Sequence, residues 1–163
     1  MNKYKDQLIQ IGTDTDRQYL LDLQRDPNLA KNVSVVYIYT LVGRSIEYPE
    51  KSGNVIYIGE AFRPSEPTGK RFAQHISTTA KTGGDSGTIY SLSRYYWNGQ
   101  CIRLRVFILD ENENREDIER RFLRVHVKEF GALPICQGTT GENYKTTDLN
   151  ALEFSHEIQV LTA

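Results

Sequence analysis

Five residues along this chain carry side chains that together suit an attack on a phosphate ester: Tyr37, Tyr57, Arg71, His75 and Glu119. Such an attack needs an activated water, neutralisation of the charge that grows on the nonbridging oxygens, and help for the departing alkoxide. A carboxylate such as Glu119 can hold one hard divalent cation, Mg2+ or Mn2+, with water and phosphate oxygens completing its shell. Arg71 offers a planar guanidinium fork that matches phosphate oxygens. His75 follows four residues later, which puts it beside Arg71 on one face of an α-helix. A tyrosine hydroxyl has an unperturbed pKa of about 10, so Tyr37 or Tyr57 can accept a proton only where cations lower its effective pKa.

Taken singly, each residue has a simpler use. A tyrosine inside an apolar strand is normally core with its hydroxyl satisfied. Arg71 with His75 reads as a solvated helix face, and Glu119 sits among Glu116, Asp117, Arg120 and Arg121, as on any helix surface laced with ion pairs. The order of the set carries the weight. Val35-Val36-Tyr37, then Tyr57-Ile58-Gly59, then Arg71 and His75, then Glu119 followed by Phe122 and Leu123, resemble the GIY-YIG nuclease family over about half the chain. The second triplet is intact. The first has Val35 where the family has glycine, and Tyr39 offers a competing register for Tyr37 on the same strand face.

The resemblance implies a metal-dependent endonuclease acting on phosphodiester bonds in DNA, with Tyr37, Tyr57, Arg71, His75 and Glu119 as the catalytic set and Glu119 as ligand of one Mg2+ or Mn2+. The family's asparagine beyond the glutamate has no direct counterpart. Gln137 stands after Pro134 in its place, and Asn143 is a rival. The long connection between Tyr37 and Tyr57 and the insert 61–69 resemble those of GIY-YIG restriction enzymes, which cut double-stranded DNA at specific sequences as homodimers. The alternatives are a structure-specific or relaxed-specificity phage, mobile-element or repair nuclease, a nucleic-acid-binding protein of the same fold without turnover, and a purely structural interaction domain.

The elements that must position these residues can be read from pattern. Val33 to Leu41 is dense in β-branched and aromatic residues and reads as a buried strand. Val55 to Gly59 reads as its partner in a hairpin with an enlarged loop, because Gly43, Pro49 and Ser52-Gly53-Asn54 break the intervening stretch. Lys70 to Ile76 has helical character, Thr82 to Gly87 reads as a loop, and Thr88 to Trp97 as a short helix. Cys101 to Leu109 forms a third strand on which Arg103 and Arg105 share a face. The acidic lead-in from Asp110 to Glu113, the apolar Ile118, Phe122, Val125 and Phe130, and Gly131 before Pro134 mark a helix with a clean stop. Near the start, Asp14 or Asp16 caps a helix containing Tyr19 to Leu23 that ends by Asp26-Pro27. The expected fold is α+β: a small, mainly antiparallel central sheet flanked by helices, one domain over 1–163 with its core at about 33–137 and a helical N-terminal extension.

Composition restricts the rest. With 163 residues, 39% of them hydrophobic, the chain suits one domain with an ordinary core. No apolar run approaches the roughly 20 residues of a membrane span, so a cytoplasmic protein with no membrane partner is expected. Cys101 and Cys136 form no CxxC pattern and read as buried free thiols. The net charge is -1, but seven cations face three anions between Glu60 and Arg105, whereas six face eleven from Val106 onward. That local basic stretch makes Lys70, Arg103 and Arg105 candidate phosphate contacts.

Overall fold

A computed structural model describes residues 1–9, 14–78, 88–138 and 153–163, without the side chains of 14–16. The expected caps Asp14 and Asp16, the loop Thr82 to Gly87 and Asn143 therefore lie outside the described residues and side chains. At the centre runs a strand over Val35–Leu41, all seven residues buried, as its uninterrupted apolar and aromatic run demands. It is flanked by strands over Val55–Ala61 and Ile102–Ile108, and the second of these pairs in turn with a strand over Asn2–Ile9. Numbered in chain order with a two-residue hairpin, Ile46–Glu47 and Ser52–Gly53, the strands are β1 (Asn2–Ile9), β2 (Val35–Leu41), β3, β4, β5 (Val55–Ala61) and β6 (Ile102–Ile108). The main sheet has the order β1-β6-β2-β5, every pair antiparallel, and β3-β4 lies within the connection from β2 to β5. With the helices that cover it, the fold is α+β, as expected.

Strand alternation divides the core into two layers. Tyr37, Tyr39 and Leu41 of β2 and Leu104 and Val106 of β6 join Leu20, Phe72, Leu92 and Tyr96 on one face. These come from α1 (Asp14–Asp22), a 3-10 segment over Thr68–Gln74, and α2 (Tyr90–Trp97). Val36, Ile38, Ile58 and Phe107 face the other way, against Phe122, Leu123 and Val125 of α3 (Arg115–Phe130) and Leu161 of α4 (Ser155–Thr162). Phe122 is fully buried, so truncating it to alanine costs about 3–5 kcal/mol.

The long helix starts and stops where its sequence signals place it. Asn114 accepts hydrogen bonds from the backbone N–H groups of Glu116 and Asp117, at 3.0 and 3.1 Å, and both of those acidic side chains favour the positive end of the helix dipole. Gly131 ends it with φ 79°, a left-handed conformation that glycine adopts without strain.

Two elements depart from expectation. The N-terminal extension is not solely helical, because β1 precedes α1 and forms one edge of the sheet. Its run NKYKDQLI is largely exposed and weakly alternating, so only pairing with β6 gives it strand form. The expected helix at Lys70 to Ile76 is instead the 3-10 segment Thr68–Gln74. Its first residues are pinned: Thr68 donates through Oγ1 to the Val33 carbonyl at 2.7 Å and through its backbone N–H to Ala30 at 3.2 Å. Gly69 lies so close to the Leu23 carbonyl that a Cβ there would sit 1.9 Å from its oxygen.

Candidate active site

Tyr37 on β2 is paired with Gly59 on β5, and its ring lies over that glycine. A Cβ at Gly59 would stand 2.6 Å from Tyr37 Cζ and Oη, so the last position of Tyr57-Ile58-Gly59 must lack a side chain. Around Tyr37 gather Tyr57, with ring centroids 6.1 Å apart and planes at 29°, Phe72 at 5.1 Å and His75 at 5.0 Å. Tyr39 shares this face, and its hydroxyl meets His75 Nδ1 at 2.6 Å. Val35, where the resembled family has glycine, is fully buried in the same layer.

Arg71 reaches the cluster from the 3-10 segment. Its Nε donates to the Tyr37 hydroxyl at 3.4 Å and its Nη1 to Gln74 Oε1 at 3.4 Å. It has no carboxylate ion-pair partner among the described residues. His75 does not lie beside it on a solvated face. With about three residues per turn, a spacing of four no longer aligns two side chains. His75 is fully buried, and burial, reinforced by the Arg71 charge, holds its imidazole neutral with a pKa well below the usual value. Its Nε2 is a buried atom without a hydrogen-bond partner.

The tyrosines differ in how readily they would ionise. Burial drives the Tyr37 and Tyr39 hydroxyls far above their ordinary value. Tyr57 is only partly buried and is raised less. Burial raises it and Arg71 opposes that rise; Glu119 raises it further, and the Tyr37 hydroxyl lowers it. All three hydroxyls are thus held protonated by burial, and Tyr57 is the one whose phenolate is least disfavoured.

Glu119 belongs to α3, on the other face of the sheet, yet it acts electrostatically on both Tyr57 and Arg71. Burial pushes its carboxyl up to about 7, reinforced by Glu60 and Glu116 and opposed by Arg120 and Arg71. It makes no hydrogen bond or ion pair with a described residue. Glu60 is held at 2.6 Å by Nε of Arg115. Among the described residues, no three His, Cys, Asp or Glu side chains gather to hold a metal. A single half-buried carboxylate suits Mg2+ or Mn2+, which keep several waters, and would not suit a cation that needs an all-protein cage.

Arg71 separates two open clefts. One, of about 390 Å³, is bordered by Tyr57, Arg71, Tyr90, Ser91 and Gln137, and no carboxylate lines it among the described residues. The other, of about 300 Å³, holds Glu60, Arg63 and Arg115. Gln137 serves the backbone: its Oε1 accepts from Ile58 N–H at 3.2 Å, its Nε2 donates to Ile58 carbonyl at 2.9 Å, and Cys136 N–H donates to Ile56 at 2.8 Å. The chain after Pro134 thus covers the otherwise open edge of β5, next to Tyr57.

The remaining candidates lie elsewhere. Lys70 is exposed and paired with Glu66 at 2.5 Å. Arg103 and Arg105 do share a face, but it is the face opposite Tyr37, because Arg105 stands across from Ile38 and Val106 across from Tyr37. Arg103 pairs with Asp6 at 3.2 Å, and the buried Arg105 donates to the Val160 carbonyl in α4 at 2.7 Å. Neither is brought to the tyrosine cluster. Cys136 is buried and Cys101 only partly so, both as free thiols. The sequence reading passed over Tyr90 and Arg94, whose only signal was a tyrosine and an arginine one turn apart. Comparison with protein-family models, curated proteins and solved structures returns no match for this chain.

Proposed function

We propose that this chain is a GIY-YIG-type endonuclease that hydrolyses phosphodiester bonds in DNA, with Glu119 as the ligand of one Mg2+ or Mn2+. The observation that supports this most is the neighbourhood of Arg71: a guanidinium bonded to Tyr37, beside Tyr57, within the electrostatic reach of Glu119, and, among the described residues, with no carboxylate partner and at a cleft lined by no acidic group. Uncompensated positive charge in a half-buried setting favours an anionic ligand.

Each residue then has a role. Arg71 holds a nonbridging phosphate oxygen and neutralises charge that develops there. Tyr57 would take the proton of the attacking water once a divalent cation at Glu119 offsets the burial that raises its pKa, its phenolate supported by Arg71 and the Tyr37 hydroxyl. Tyr37 orients Arg71 and Tyr57. His75, neutral and buried, fixes Tyr39 beneath them and acts by position. A divalent cation, when bound at Glu119, supplies Lewis acidity at the phosphate and relieves the repulsion among Glu60, Glu116 and Glu119.

Incubating the protein with supercoiled plasmid in Mg2+, Mn2+ or EDTA tests the reading. Metal-dependent nicking or linearisation is expected. Discrete fragments would support a sequence-specific, restriction-type enzyme, with linear product before nicked circles pointing to a homodimer that cuts both strands. A smear would support relaxed specificity. Intact plasmid with both metals would overturn the proposal, and binding without cleavage would leave a nucleic-acid-binding protein.

A further inference from the structure

Beside the Tyr57–Arg71 cleft runs a second groove of about 320 Å³ on α2, and the two share Tyr90 and Ser91. Like the cleft, the groove has no carboxylate in its wall among the described residues. It has Arg94 instead. The Arg94 guanidinium lies 4.9 Å from the Tyr90 ring centroid and donates to the Tyr90 hydroxyl, through Nε at 3.0 Å and also through Nη2. Among the described residues it has no carboxylate partner, and the group that holds it is the neutral Tyr90 hydroxyl. Two large hydrophobic side chains that stay exposed border the groove: Tyr90 at 52% and Ile135 at 49%.

Aromatic faces beside unpaired arginines are the means by which proteins hold unstacked nucleotides: the ring takes a base and the guanidinium takes a phosphate. We infer that the groove along α2 holds the nucleotide flanking the scissile phosphate, its base unstacked against Tyr90 and its phosphate on Arg94. The inference rests on the nuclease reading of the adjoining cleft, which it extends along the strand. Continuity of the two clefts sets the occupant. A strand whose phosphate meets Arg71 passes Tyr90 next, and successive phosphates match Arg71 in the one cleft and Arg94 in the other.

Binding of fluorescent oligonucleotides to the whole protein in EDTA tests this without turnover. The probes are a blunt DNA duplex and the same duplex with a single-stranded gap. The wild type should favour the gapped probe. Tyr90→Ala should weaken that binding roughly 5- to 100-fold and erase the preference, whereas Tyr90→Phe, which retains the ring, should keep it. Arg94→Ala should weaken binding to both probes about tenfold and lower the salt slope by about one. Unaltered thermal midpoints would show that both surface variants fold. If the wild type cuts plasmid while these variants bind like it, the groove assignment fails and the nuclease reading stands. If binding depends on Tyr90 and Arg94 but no metal supports cleavage, the nuclease reading fails and the groove assignment stands. No binding of either probe by the wild type overturns the groove assignment, and the plasmid assay then decides the nuclease reading separately.

Discussion

Each face of the sheet buries one histidine, and the two keep different company. His126 stacks on Phe130 at 4.5 Å, meets Tyr48 edge-on, and places Nδ1 2.6 Å from the Ala132 carbonyl just beyond the end of α3. Every neighbour there is apolar or already bonded, so the imidazole pins a turn. His75 is as deeply buried, but its partners are the Tyr39 hydroxyl, the Tyr37 ring and the charge of Arg71. Two arginines repeat the contrast. Arg105 is closed off by the Val160 carbonyl of α4, whereas Arg71 keeps a fork without a carboxylate at an open cleft. Burial alone therefore does not distinguish structural from chemical groups. The distinguishing feature is the surroundings: the Arg71 charge and an open cleft beside His75, aromatic rings and a backbone carbonyl around His126.

The sharpest way to break that contrast is Glu119→Gln, which removes an α3 carboxylate that acts on both Tyr57 and Arg71. Cleavage should fall to background, with folding and metal-free DNA binding nearly unchanged, because an amide keeps the shape but holds a hard cation poorly. Retained activity would shift the metal to Glu60 or Glu116. Next comes Tyr57→Phe, expected to lower the single-turnover rate roughly 100- to 10,000-fold, as for lost general base catalysis. Tyr37→Phe should cost less, because its deeper burial disfavours the phenolate more. The opposite ranking over several pH values would exchange their roles.

Arg71→Lys should lower cleavage roughly 100- to 1,000-fold without loss of stability, since a point charge cannot replace a fork. A near-normal rate would reduce Arg71 to general electrostatics. The histidines predict acid sensitivity. Burial holds both folded-state pKa values below the unfolded value of about 6.5, that of His126 at about 4. The unfolded chain thus binds more protons as pH falls, and stability present above about 6.5 is lost on the way down to about 4. The His126 contribution is up to about 3 kcal/mol. Urea midpoints at stepped pH should fall through this window, and His126→Gln should flatten part of the slope. An equal slope in wild type and variant would mean that His126 is not neutral in the fold. The smallest effect is expected for Arg105→Lys: about 1 kcal/mol of stability, from a weakened bond to Val160, with cleavage unaltered. A cleavage defect larger than the stability loss would return Arg105 to the list of substrate contacts.

Local chemistry carried much of this structure. The run from Val35 to Leu41 had to be buried because nearly every side chain in it is apolar or aromatic, and Asn114 and Gly131 delimited α3 because capping is a property of a few adjacent residues. Tyr57-Ile58-Gly59, Arg71, His75 and Glu119 were legible as an ordered set, and two-residue alternation already placed Tyr37 with Tyr39 and Arg103 with Arg105. Contacts between distant segments decided the rest. Nothing in NKYKDQLI marks a strand until β6 supplies its hydrogen bonds, and no local pattern shows that the Leu23 carbonyl presses on Gly69 at the start of the 3-10 segment. Which face of β6 turned toward the tyrosines depended on its register with β2. Side-chain period is local to a strand, whereas register, close approach and the joining of Tyr90 to the Tyr57–Arg71 cleft exist only after the chain has folded.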